Sequence, residues 1–139
     1  MKRLILPVLL ATLFSAQGPA QTTQAATGTL TSKANSNAEA AALGYMRTVI
    51  NAQKVYKKKR GTYATSLAAL VGSASFTKRM ANSDRGDYVV TFRAQKDGYS
   101  LALTPKLFDA QHRAFFTDES GNIRVEDAQQ ATPASSLLK

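Results

Sequence analysis

One stretch, Ala38 to Arg60, carries the one long amphipathic face of this chain, and any fold the sequence adopts has to cover that face. Ala38, Ala42, Tyr45, Met46, Val49, Ala52 and Tyr56 recur at helical spacings and form one stripe, whereas Arg47, Asn51, Lys54 and Lys58 lie away from it. Ser36 or Asn37 can cap the start. Glu39 sits near the positive end of the helix dipole, Lys57 to Arg60 sit near the negative end, and Gly61 stops the helix. At 1.5 Å per residue such a helix is roughly 35 Å long and serves as a spine that a sheet must cover.

The residues that can supply the sheet lie downstream. Tyr88, Val90, Phe92 and Ala94 alternate with Val89, Thr91, Arg93 and Gln95; Lys96-Asp97-Gly98 gives a tight turn, and Tyr99, Leu101 and Leu103 continue the alternation as far as Pro105. A second hairpin is expected from Arg113 to Thr117, through the turn Asp118 to Asn122, into Ile123, Arg124 and Val125. Between helix and strands, Ser66 caps a short helix over Leu67 to Val71 closed by Gly72, and residues 73–85 read as a loop pinned by Phe76 and Met80. The expected fold is α+β, a long N-terminal amphipathic helix packed on an antiparallel sheet of about four strands.

The two ends read differently. Met1 to Ala20 has the three parts of an export signal: Lys2 and Arg3, an apolar run from Leu4 to Phe14, and small residues at Gly18 and Ala20. That run is too short to span a bilayer, so no stable membrane span is expected after cleavage, and the protein is expected in the periplasm or outside the cell. Residues 21–37 read as a flexible linker and 38–127 as the domain. Residues 128–139, polar or small and without a period, read as a disordered tail. With no cysteine and one histidine, His112, the chain offers no disulfide, no thiolate metal site and no conventional zinc site, and nucleophilic cysteine or serine–histidine chemistry is disfavoured. The formal charge of +9 falls to +7 once Lys2 and Arg3 leave with the signal, which favours anionic partners such as nucleic acid, lipid or cell-wall polymer.

Three segments carry a likeness to a known family: AALGYMRTVINAQKVYKKKRGTYATSLAALVG, YVVTFRAQKDGYSLALTP and RAFFTDESGNIRVED. Together they resemble the globular part of bacterial type IV pilins and pseudopilins, above all the phrase from Met46 to Gln53 with Tyr56, and the run from Phe115 to Arg124. The likeness spans about Glu39 to Asp127. It departs from the family at the N-terminus, where no acidic residue precedes Glu39 and the apolar run is an ordinary signal. The resemblance therefore implies a non-enzymatic, exported headpiece that binds envelope, pilus or type II secretion proteins, without filament assembly through a buried N-terminal helix.

Two clusters are candidate sites. Arg47, Lys54, Lys57, Lys58, Lys59 and Arg60 can meet a polyanion, DNA included, although four consecutive cations fan around a helix rather than share a face. Tyr56 and Tyr63 stand near enough in sequence to stack on bases, or else serve the core. Asp118, Glu119, Glu126 and Asp127 crowd the last hairpin and could offer oxygens to calcium, though not at the spacing of a calcium-binding loop. No catalytic constellation is expected, and His112 is expected to titrate in solvent.

Overall fold

A computed structural model describes residues 34–139; the expected export signal and the expected linker up to Lys33 lie outside the described residues. The linker's expected end at Asn37 is too late, because Asn37 already opens the helix. Helix α1 runs Asn37–Arg60, with Ser36 as its cap accepting from the Glu39 amide at 3.1 Å. It stops where sequence reading puts the stop: Gly61 takes φ 80°, a left-handed conformation that a side chain disfavours, and its N–H closes on the Lys57 carbonyl at 2.7 Å.

The expectation of a sheet of about four strands under that helix is overturned. The body is mostly sheet, a six-stranded antiparallel meander in which each strand pairs with the next in sequence, from β1 to β6. The strands are β1 (Asp84–Arg85), β2 (Tyr88–Ala94), β3 (Tyr99–Pro105), β4 (Ala114–Asp118), β5 (Arg124–Glu126) and β6 (Ser136–Leu137). The two unforeseen strands flank the sheet and are two residues long, too short for alternation to betray them.

β6 also corrects the disordered tail. Ser135 donates its hydroxyl to the Glu126 carboxylate at 2.9 Å and accepts the Thr132 amide at 3.0 Å, and Arg124 bonds the Ser135 carbonyl at 2.9 Å. These bonds fold residues 131–137 back on the sheet, and the buried Ala131 joins Ala102, Ala114 and Phe116 in a small apolar cluster on the face away from α1. Polar side chains do the ordering here, so a search for apolar period passes over it.

The main core lies between α1 and the opposite sheet face. Tyr88, Val90, Leu101, Leu103 and Phe115 meet Ala42, Tyr45, Met46, Val49 and Ala52 of the stripe, while Phe92 and Tyr56 pack at its margin. Leu43 and Ile50, outside the stripe as read from sequence, are buried too. The short helix after α1 shrinks to a single 3-10 turn, Ala68–Leu70; Ser66 still bonds its Ala69 amide at 3.2 Å, and Leu70 seals that side of the core. A second 3-10 turn, Lys78–Ala81, occupies the expected loop, and Tyr45 donates its hydroxyl to the Met80 carbonyl there at 3.0 Å.

Candidate functional site

The C-terminal end of α1 and the turn between β2 and β3 face each other across a cleft of 320 Å³. One wall is Lys57 and the segment Gly61–Tyr63 with Thr65; the other is Gln95, Lys96, Asp97 and Gly98. Gln53, fully buried, holds the first wall in place. Its side-chain amide donates to the Ala64 carbonyl at 3.2 Å and accepts the Ala64 N–H at 2.9 Å, tying the chain back to the helix about two turns before its end. The second wall is shaped by Gly98: a methyl group there would come within 2.6 Å of the Glu119 carboxylate, so that side chain lies directly over the turn.

Tyr63, the aromatic residue of the first wall, is backed by further rings behind the cleft. Tyr63 meets Tyr99 edge-on at 5.3 Å, and Phe92 stacks on Tyr99 at 6.0 Å. Burial drives the Tyr99 hydroxyl far above its ordinary ionisation range, helped by Tyr63, Asp118 and Glu119, so this phenol stays neutral. The Lys57 ammonium lies 4.2 Å over the Tyr63 ring, a cation–π contact that leaves the charge at the mouth of the cleft. The same contact covers one face of Tyr63, and Tyr56 is half-buried against the core, so neither ring presents a free stacking platform.

The six cations of the sequence-derived cluster divide. Lys54, Lys57, Lys58, Lys59 and Arg60 are exposed at the helix end, whereas Arg47 is half-buried and lies about 10 Å further back along the axis. Lys54 leans over the β4–β5 turn, its ammonium close to Gly121. Lys96, which sequence reading treats only as a turn residue, is the cation that the fold adds from across the cleft. Its place beside the helix follows from the β2–β3 register, Ala94 opposite Tyr99, and no local signal announces it. Among the described residues the ion pairs use Lys106, His112 and Arg113, and none neutralises a cation of this end.

The four carboxylates weighed for calcium do not converge. Asp118 and Glu119 sit at one end of β4, and Glu126 pairs opposite Ala114 at the other end, roughly 13 Å away along the strand. Asp118 accepts the Ser120 amide at 2.9 Å, as an Asx turn requires, and Glu126 is engaged by Ser135. Among the described residues no group of three or more His, Cys, Asp or Glu side chains is placed to hold a metal ion.

A second polar centre, missed from sequence, locks the other end of α1. Glu39 is fully buried; its carboxylate accepts from the Arg113 side chain at 2.9 and 3.0 Å, from the Arg113 amide at 2.8 Å and from the Asn35 amide at 2.7 Å. Burial pushes this carboxyl upward, but the Arg113 guanidinium and the two backbone amides outweigh it and hold the group below its ordinary value. Ser36 and Asn35 add side-chain bonds to the carbonyls of Gln111 and Ala110, so the helix start is riveted to the β3–β4 connection. Nor does His112 stand alone in solvent: its Nδ1 lies 2.8 Å from Asp109 and its Nε2 3.7 Å from Asp87. Glu39 at the third helical position is the one sequence signal for this centre, and it reads there only as a charge matched to the positive end of the helix dipole.

Compared with known proteins, the chain matches no family model, no characterised protein and no solved structure. Among the described residues no helix is long and apolar enough to cross a membrane.

Proposed function

We propose that this protein is an exported, non-enzymatic binding module whose working surface is the cationic end of α1, and that its ligand is an anionic polymer of the cell envelope or a nucleic acid. One observation carries the reading: five exposed cations at the helix end and Lys96 across the cleft stand without carboxylate partners among the described residues. A cluster of unpaired charge on a rigid frame attracts polyanions and speeds their encounter. The phosphate-like contacts would be made by flexible lysines, which read charge rather than sequence. The resemblance of the Met46–Gln53 and Phe115–Arg124 phrases to pilin-like proteins supports a setting alongside a pilus or secretion apparatus.

The test is a salt titration with a single-stranded oligonucleotide and with a linear polyphosphate. Each neutralised phosphate contributes roughly 0.7 to 0.9 to the slope of log affinity against log salt, so four or five engaged cations give a slope of about −3 to −4. Replacing Lys57, Lys58 and Lys59 by Gln should lower that slope by about 2 to 3. A flat salt dependence, or an unchanged slope in the triple variant, would refute the assignment.

The second reading is a protein partner of the envelope, pilus or secretion apparatus, and Leu107 favours it. This leucine is 69% exposed in the β3–β4 connection, which is pinned at both ends by Lys106–Asp84 at 3.1 Å and by His112. A partner docked there survives 0.2 M salt and is lost on Leu107→Ser.

A further inference from the structure

The face of the sheet away from α1 carries a built pocket. Arg93 and Ser100 stand opposite each other on β2 and β3, and in the neighbouring row Thr91, Ala102 and Phe116 line up across β2, β3 and β4. These positions alternate with the core residues Phe92, Leu101 and Phe115, so their side chains belong to the outer face. The C-terminal return forms a wall beside this floor: residues 130–133 line the pocket, and Ala131 clusters with Ala102 and Phe116. The space between floor and wall is 380 Å³, within the range of small-molecule sites. The wall is fixed in place. Ser135 accepts the Thr132 amide at 3.0 Å, Thr132 accepts the Ala134 amide at 3.3 Å, and Arg124 and Glu126 hold Ser135 to β5.

What the pocket offers is unused hydrogen-bonding capacity. Ser100 is 9% exposed, yet its hydroxyl has no partner among the described residues, and the same holds for the side chains of Thr91, Gln95 and Gln130 around it. Arg93 lines the pocket too, exposed and outside the ion pairs of the described residues. Its guanidinium is the single charge among the lining residues. Asp118, opposite Ser100 on β4, lies outside the lining and accepts the Ser120 amide at 2.9 Å.

These groups define a ligand chemistry. One guanidinium with no carboxylate beside it in the lining calls for one negative charge, and its fork matches a carboxylate through two parallel bonds. The hydroxyls of Thr91 and Ser100 and the amides of Gln95 and Gln130 both donate and accept, so they suit a ligand whose polar groups do both, which is to say several hydroxyls. A phosphate only accepts and would leave the acceptor oxygens of these side chains idle. A nucleobase needs an open aromatic face, whereas Phe116 is 8% exposed. Ala102, Ala131 and Pro133 add apolar surface for the C–H groups of a ring. We infer that the pocket binds one carboxylated sugar, a hexuronate, with Arg93 on its carboxylate and Thr91, Ser100 and Gln130 on its hydroxyls. The inference does not depend on the assignment of the helix end, since the two sites share only Gln95.

Titration of the isotope-labelled protein with D-glucuronate and with D-galacturonate, followed by NMR, tests this. At least one of them should shift the amides of Arg93, Ser100, Ala131 and Thr132 saturably. That uronate should bind about tenfold or more tightly than D-glucose or acetate, because it alone engages both the charge and the hydroxyl-binding groups. Arg93→Gln should weaken it about tenfold or more and leave glucose unchanged, whereas Ser100→Ala should weaken uronate and glucose alike and leave acetate unchanged. The amides of Leu103 and Phe115, on the core side, report that each variant is folded. No saturable shift with either uronate would overturn the inference, as would wild-type affinity in Arg93→Gln. Acetate or inorganic phosphate binding as tightly as the uronate would overturn it too, and so would tighter binding of N-acetyl-Ala-Ala, which would mark a peptide carboxylate as the ligand.

Discussion

Arg113→Met leaves the Glu39 carboxylate sealed in the interior without its counter-charge. The Glu39 side chain is fully buried and that of Arg113 is 16% exposed, so little water can take the guanidinium's place. Breaking a buried pair from one side costs roughly 3–5 kcal/mol. The amides of Asn35 and Arg113 still donate to the carboxylate, so the lower end, about 3 kcal/mol, is expected, a large share of the roughly 5–15 kcal/mol that holds a domain together. Glu39→Gln/Arg113→Met removes the charge itself and should recover part of the loss, ending about 1–2 kcal/mol below the wild type. Urea unfolding at pH 7 and pH 4 reads both effects. In the wild type the folded carboxyl titrates below its unfolded value of 4.5, so the pair contributes fully above that pH and its contribution drains away as pH falls through the lower folded value. In Arg113→Met burial acts without the guanidinium and raises the carboxyl, so the deficit is largest near pH 7 and shrinks on acidification. A single variant within 1 kcal/mol of wild type, or a double variant less stable than the single one, would refute this reasoning.

Three further outcomes can be checked by unfolding and titration. Gln53→Leu strands both polar groups of Ala64 in the interior and should cost about 1–3 kcal/mol for each, read as a fall in the urea midpoint without a change in slope. Thr117→Val removes a buried hydroxyl with no hydrogen-bond partner among the described residues and should raise stability by about 1 kcal/mol; a loss of that size would show that the hydroxyl is engaged. Burial raises the Tyr45 hydroxyl from 10.0 to about 12, against a small opposing pull from Arg85, so the unfolded chain releases this proton first and stability should fall as pH rises from about 10 to 12. Tyr45→Phe should flatten that alkaline decline.

What was legible in the sequence was whatever repeats. The stripe on α1 and the alternation of β2 and β3 are periodic, and the residues on them do meet in one core. Ile50 escaped because the β4–β5 turn, with Gly121 beside it, covers a flank of the helix that a single stripe does not count, and Leu43, also off the stripe, is buried in the same core. The two flanking strands and the C-terminal return escaped because hydrogen bonds of Ser135, Glu126 and Arg124 place them, and such bonds have no sequence period. At the candidate site the cations of α1 could be read off, but Lys96 could not, since its position depends on how a hairpin 40 residues downstream of the helix stripe is registered against β3. Glu39 and Arg113 are 74 residues apart, and pairing at that range is set by topology alone.

Chemical-shift mapping with a short polyphosphate goes most directly to the assignment of the helix end as the working surface. In 50 mM salt the amides of Lys57–Gly61 and Gln95–Gly98 should move together, on both walls of the cleft, and the shifts should collapse by 200 mM salt. Shifts gathered around Leu107, or none at any salt concentration, would contradict it.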